Sequence, residues 1–195
     1  MEATLRAFIA IELPEKIILS LGRLQESLKA EGLNIRWVRP ENIHLTLKFL
    51  GGIPFPHIEK IRDAVCRQAD GFAPMTLSAK GVGVFPDPRR PRVMWVGLAG
   101  QTGFLTRLQK LLDEELAAIH YPRENRAFTG HLTLGRVKGP MDPLKLTAAM
   151  ENHGGFESGS FVADHIVLFN SELRPSGAVY SKLLQVKLQS RTQTD

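Results

Sequence analysis

His44-Leu45-Thr46-Leu47 and His131-Leu132-Thr133-Leu134 are the same four residues written twice in one chain. Strict alternation of polar and apolar side chains marks a half-buried β-strand, because successive side chains leave a strand on opposite faces. Each copy therefore sets its histidine and threonine on one face and its two leucines on the other. The leucines are expected to turn into a core, and the imidazole and hydroxyl groups to turn out together. At ordinary residue usage, such a paired repeat in a chain with only 6 histidines is expected by chance far less than about once in a thousand chains. The plain alternative is a pair of strands whose polar faces meet only solvent.

Working outward, residues 5–13 read as a strand stopped by Pro14. Ile17, Ile18, Leu21, Leu24 and Leu28 then recur at helical spacing as far as Gly32. A short strand over 35–38 leads into the first motif strand, 44–50, which Gly51 and Gly52 are expected to close. A helix over 58–69 and strands over 75–85 and 92–98 follow, the strands joined by Pro86-Asp87-Pro88. The second half repeats the theme. A helix over 102–119 precedes a loop rich in arginine and asparagine, then the motif strand 131–137, a helix over 143–151 and strand-like runs over 156–163, 165–173 and 179–188. Residues 190–195 read as a frayed tail. Each half sets one helix before its motif strand and one after it, which argues for an α+β or α/β duplicate with sheets facing a shared cleft.

The length of 195 residues and the 43% hydrophobic content suit one compact domain over 1–195, made of two similar lobes. No apolar run approaches the roughly 20 residues a membrane span requires, and the N-terminus lacks a signal-peptide layout. A cytoplasmic location without membrane contact is expected. Cys66 is the only cysteine, which excludes an internal disulfide, and its helical setting suggests packing rather than nucleophilic chemistry. The net charge of +5 leans toward an anionic partner, with arginines gathered at 36 and 39, at 89, 90 and 92, and at 123 and 126.

Two imidazoles in one cleft can share the roles of acid and base, since histidine alone titrates near neutrality at its unperturbed pKa. Thr46 and Thr133 would hold the non-bridging oxygens of a phosphate as charge builds on them. Neither motif has a second ligand at zinc spacing, and no His-Glu-x-x-His is present, so no metal is expected. No Gly-x-Ser-x-Gly elbow supports a serine triad, and no Walker-type loop supports nucleoside triphosphate chemistry. His57, His120, His153 and His165 share no pattern and read as ordinary surface or partly buried residues.

Three blocks carry a resemblance. Leu5-Arg6-Ala7-Phe8-Ile9-Ala10-Ile11, Trp37-Val38-Arg39-Pro40-Glu41-Asn42-Ile43-His44-Leu45-Thr46-Leu47-Lys48-Phe49-Leu50-Gly51 and His131-Leu132-Thr133-Leu134-Gly135-Arg136 resemble the RNA 2′,3′-cyclic phosphodiesterases of the two-histidine phosphoesterase superfamily, historically called 2′-5′ RNA ligases. One departure is Gly130, where the family often has proline. The resemblance implies an α+β bilobal fold of two antiparallel sheets facing a central cleft, with helices outside. It also implies a metal-independent, cofactor-free hydrolase of RNA processing that opens 2′,3′-cyclic phosphate ends to 2′-phosphomonoesters. It makes His44 the proton donor and His131 the proton acceptor, joined by Thr46 and Thr133, though a near-symmetric pair does not reveal its own polarity. It further points to Phe49 as a contact to the base and Arg136 as a contact to the phosphate. Strict alternation would turn both away from the histidines, so a bulge, strand end or twist must reorient them. RNA or oligonucleotide ends with a 2′,3′-cyclic phosphate are the expected partners, and a monomer the expected state. The alternatives are a 2′-5′ ligase, a phosphodiesterase for another cyclic nucleotide, and a non-catalytic nucleotide- or RNA-binding module.

Overall fold

The computed structural model describes residues 4–175 and 177–190. Strand β1 (Thr4–Ile11) opens the chain, and Pro14 caps helix α1 (Glu15–Ala30). Strand β2 (Ile35–Trp37) and a 3-10 turn (Pro40–Asn42) lead to β3 (Leu45–Pro54), helix α2 (His57–Ala69), β4 (Met75–Phe85) and β5 (Val93–Gly100). Helix α3 (Thr102–Ala117), β6 (His131–Val137), α4 (Pro143–His153), β7 (Phe161–Ala163), β8 (His165–Arg174) and β9 (Gly177–Lys187) complete the order. Asp142 caps α4 by accepting from the N–H of Leu144 at 2.9 Å, with Pro143 preset for the first turn.

The strands form one curled antiparallel sheet of nine, in the order β7-β4-β5-β6-β3-β1-β8-β9, with β2 also alongside β6. At its middle, β3 meets β6 through the single pair Leu45 and Leu132. That seam divides the sheet into two wings, β7-β4-β5-β6 and β3-β1-β8-β9, which is the two-sheet α+β arrangement expected. The wings do not coincide with the halves of the sequence: β1 pairs with β8 across the whole chain, and β5 with β6.

One main core lies between the sheet and its helices. Ile17, Leu21, Leu24 and Leu28 of α1, Leu105, Leu108, Leu112 and Leu116 of α3, and the motif leucines Leu45, Leu47, Leu132 and Leu134 all belong to it. A second, small cluster of Phe8, Ala10, Val167 and Phe169, with Tyr180 against it, lies on the opposite face of the β1–β8–β9 wing. Strand β1 is therefore buried on both faces, and its run Ala7-Phe8-Ile9-Ala10-Ile11 is continuously apolar for that reason.

Two boundaries differ from the sequence reading. Strand β3 continues through Gly51 and Gly52, which pair with Ala7 and Arg6, and Gly51 takes a left-handed φ of 72° to allow it. The run over 156–163 shrinks to β7; before it, residues 156–158 touch β4 through an isolated bridge between Glu157 and Lys80 and through Ser158, whose hydroxyl accepts from Ala79 N–H at 2.9 Å. The tail beyond Ser190, expected to fray, lies outside the described residues.

Among the described residues, the core holds one ion pair. Lys48 of β3 bonds Asp113 of α3 and also donates to the Pro122 carbonyl at 2.7 Å, while the other Asp113 oxygen accepts from Glu124 N–H at 3.3 Å. This network ties the first motif strand to the loop that leads to His131. Removing one partner strands a buried charge, so Asp113→Ala is expected to cost about 3–5 kcal/mol in denaturant unfolding, and pairing it with Lys48→Met to recover much of that loss. Equal destabilisation in the single and double variants would contradict the account.

Candidate active site

The geometry of the site starts from the seam. In an antiparallel pair, the Leu45 and Leu132 register places His44 opposite Thr133 and Thr46 opposite His131, one residue to either side. The leucines point into the core, so all four polar side chains share the face away from it. The two histidines are then diagonal neighbours, whose backbones such a register holds about 7–8 Å apart. The electrostatics agree, since the charge on His131 acts on His44.

Each imidazole is anchored in the same way. Nδ1 of His44 bonds the Asn42 carbonyl at 2.8 Å, and Nδ1 of His131 bonds the Thr129 carbonyl at 2.7 Å. A carbonyl only accepts, so both Nδ1 atoms carry hydrogen and both Nε2 atoms are left to exchange protons. The surroundings differ. His44 stacks on Phe8 at 4.6 Å between ring centroids and meets the edge of Tyr180 at 5.3 Å, with Phe169 at 6.4 Å. His131 sits edge-on to Phe85 at 5.0 Å, with Trp95 at 6.5 Å. A cleft of about 180 Å³ opens beside His44, Asn42, Phe169 and Tyr180.

Matched bulges then bring Phe49 and Arg136 to this face. Ile9 pairs with Lys48 but Ala10 with Thr46, which leaves Leu47 as the extra residue of β3. Met94 pairs with Gly135 but Trp95 with Thr133, which leaves Leu134 extra in β6. The two bulges fall at equivalent positions of the repeat. In each, consecutive residues turn inward, Leu47 with Lys48 and Leu134 with Gly135, and the next residue emerges beside the histidine. Phe49 is 59% exposed and lies 6.0 Å from the Phe8 ring that supports His44. Arg136 is exposed and acts on the phenol of Tyr180, as do Arg6 and Arg39. Burial raises the pKa of that phenol, and the three guanidiniums oppose the rise.

Gly135 has little room to be anything else. A Cβ there would meet Cγ2 of Ile35 at 2.4 Å and the Arg36 carbonyl at 3.0 Å. Gly130, the departure before the second motif, lies against Leu98 and Leu105, where a Cβ would stand 3.0 and 3.2 Å from their methyl groups. Three of the other four histidines have separate partners: His57 bonds the Tyr121 hydroxyl, His153 pairs with Glu31 and His165 with Asp164. Among the described residues, no group of three or more His, Cys, Asp or Glu side chains is placed to hold a metal ion.

Sequence reasoning missed Phe8, Phe169 and Tyr180. They reach His44 from three strands, and only the wing topology reveals their convergence.

Comparison with known proteins gives a consistent family. The family model described as LigT like phosphoesterase matches twice, over residues 11–95 and 96–180, each match holding one copy of the His-Leu-Thr-Leu motif. The RNA 2′,3′-cyclic phosphodiesterase of Methanothermobacter thermautotrophicus is 36% identical over 178 residues, covering 91% of this chain and 96% of its own. The protein of the same name from Thermotoga maritima is 32% identical over 185 residues, covering 95% and 96%. The crystal structure of TT0787 from Thermus thermophilus superposes with a TM-score of 0.77 at 28% identity, covering 95% of this chain and 99% of that one. Apo LigT of E. coli, at 23% identity and a TM-score of 0.76, shares the fold over 95% of this chain and 98% of its own.

Burial, aided by the charge on His131 and opposed by the Asn42 bond, lowers the pKa of His44 below 6.5. In the window between that lowered pKa and 6.5, the unfolded chain holds more protons, so stability rises with pH there and the contribution is lost as pH falls. An NMR titration is expected to give His44 a midpoint below 6.5, shifting upward in His131→Gln. An unmoved midpoint would mean that the two rings do not sense each other.

Proposed function

The chain belongs to the LigT-like phosphoesterase family, and from that premise we propose that it opens the 2′,3′-cyclic phosphate at the end of an RNA to a 2′-phosphomonoester, with His44 and His131 as the proton-transferring pair and no metal ion. The observation that carries the reading is the single seam pair, whose register gathers two identically anchored histidines and two threonines on one face.

In the reaction, water attacks phosphorus in line with the bond to the 3′ oxygen. His131 Nε2 takes the water proton, the P–O3′ bond breaks, and His44 Nε2 delivers a proton to the departing oxygen. The hydroxyls of Thr46 and Thr133 donate to the non-bridging oxygens, and the Arg136 guanidinium neutralises the charge that accumulates there. Phe49 offers its exposed ring to the base, a contact of the kind worth about 1–3 kcal/mol. Free His44 is biased toward the neutral form by burial, so its acid role begins in the complex, where the negative phosphate beside it restores its proton affinity. One copy of the chain carries the whole set, so one domain of two lobes acting as a monomer suffices. A 5′-hydroxyl terminus in place of water would attack the same phosphorus, losing its proton to His131 while His44 protonates the departing 3′ oxygen, and the two ends would be joined through a 2′-5′ linkage.

His44→Ala and His131→Ala are each expected to lose about 10²- to 10⁴-fold in kcat, which end-group analysis of a cyclic-phosphate oligonucleotide would measure. A substrate carrying sulfur at the departing 3′ position leaves as a thiolate, with a pKa of about 8.5, and needs little protonation. It should rescue His44→Ala and not His131→Ala, and the opposite pattern would reverse the two roles. Excess chelator should leave turnover intact, whereas loss that only a divalent cation restores would refute the metal-free mechanism.

A further inference from the structure

Beyond Arg136, which the reaction uses, the far end of β6 is flanked by arginines that the reaction does not use. Arg36 and Arg136 stand directly opposite each other in the β2–β6 register, so their side chains leave the sheet on one face. Like charges placed in this way repel. Neither has a carboxylate within salt-bridge distance among the described residues.

On the other side of β6, Val93 pairs with Arg136, and the β4–β5 hairpin turns through residues 86–92. Arg92 N–H donates to the Phe85 carbonyl at 2.7 Å, and Val137 N–H donates to the Arg92 carbonyl at 3.0 Å, which fixes the hairpin tip to the end of β6. The one acid of the tip is already engaged: Asp87 accepts from the backbone N–H of Arg89 at 2.8 Å and of Arg90 at 3.2 Å. The side chains of Arg89, Arg90 and Arg92 are exposed, and none has a carboxylate partner among the described residues. Phe85, at the root of the tip, touches the edge of His131. The row therefore crosses the end of β6, from Arg36 on the β2 side through Arg136 to the hairpin tip on the β5 side, whose root meets the catalytic face at Phe85.

We infer that this row is a track for the phosphate backbone of a single RNA strand whose cyclised end lies between His44 and His131, an inference that rests on the reaction proposed above. A cyclic mononucleotide brings one phosphate and engages only Arg136 of the row. Guanidiniums spaced along a strand and lacking acidic partners suit a chain of phosphates, each of which a guanidinium can grip with two parallel hydrogen bonds. Contacts of this kind release counterions, so they are read out as salt dependence.

The test is the triple variant Arg89→Ala/Arg90→Ala/Arg92→Ala in the full chain. Fluorescence anisotropy follows binding of a short single-stranded RNA ending in a 2′-phosphate across a salt series, and a separate assay follows hydrolysis of a nucleoside 2′,3′-cyclic monophosphate. At about 0.7 per phosphate on single strands, losing three contacts should reduce the slope of log K against log salt by about two, with mononucleotide kcat/KM held within about twofold. An unchanged slope overturns the track. So does a parallel loss of mononucleotide turnover, which would give the tip a structural role, and so does preference for an acidic polypeptide over RNA. Should the wild-type chain hydrolyse neither substrate while the variant still loses RNA binding, the proposed reaction fails and the track stands.

Discussion

Everything on the proposed catalytic face follows from one antiparallel pair, Leu45 with Leu132. Among the described residues it is the sole register joining the two wings of the sheet, and both side chains are fully buried in the main core. Core packing thus decides how the wings meet. Because side chains alternate, burying these leucines commits His44, Thr46, His131 and Thr133 to the opposite face, and a slip of one residue would turn all of them inward. The backbone carbonyls of Asn42 and Thr129 then fix the plane and tautomer of each ring.

The bulges do work that alternation cannot. Without an extra residue at Leu47 and at Leu134, Phe49 and Arg136 would face the helices. Each bulge is held by an inward neighbour suited to its place. Lys48 finds Asp113 and Pro122 beneath β3, whereas Gly135 leaves space for Ile35 and the main chain of β2. One position is filled by a buried charge and its equivalent is filled by a neighbouring strand.

Much of this was legible in the sequence because it rests on short-range pattern. The alternating motifs, the apolar stripe of α1 and α3, and the limits of β4 and β6 depend on side-chain period, and the structure places them where that period predicts. The extension of β3 past Gly51 was not legible, since it depends on pairing with Ala7 and Arg6. Nor was the exchange of strands between wings, which local pattern does not encode. For the candidate site, the two motifs announced the histidines and threonines, and the need for a bulge followed from alternation alone. The position of that bulge, and the aromatic floor of Phe8, Phe169 and Tyr180, required the register of strands distant in the chain.

The duplication is not faithful one residue beyond the bulges. Where one strand presents a flat ring, its counterpart presents a cation, at Phe49 and Arg136. A nucleotide is itself lopsided, with an aromatic base at one end and an anion at the other. A fully symmetric pair of strands would accept it in either of two orientations with equal ease. In the proposed reaction, this mismatch would give the groove a head and a tail, and so assign different partners to two imidazoles that the repeat alone would leave interchangeable.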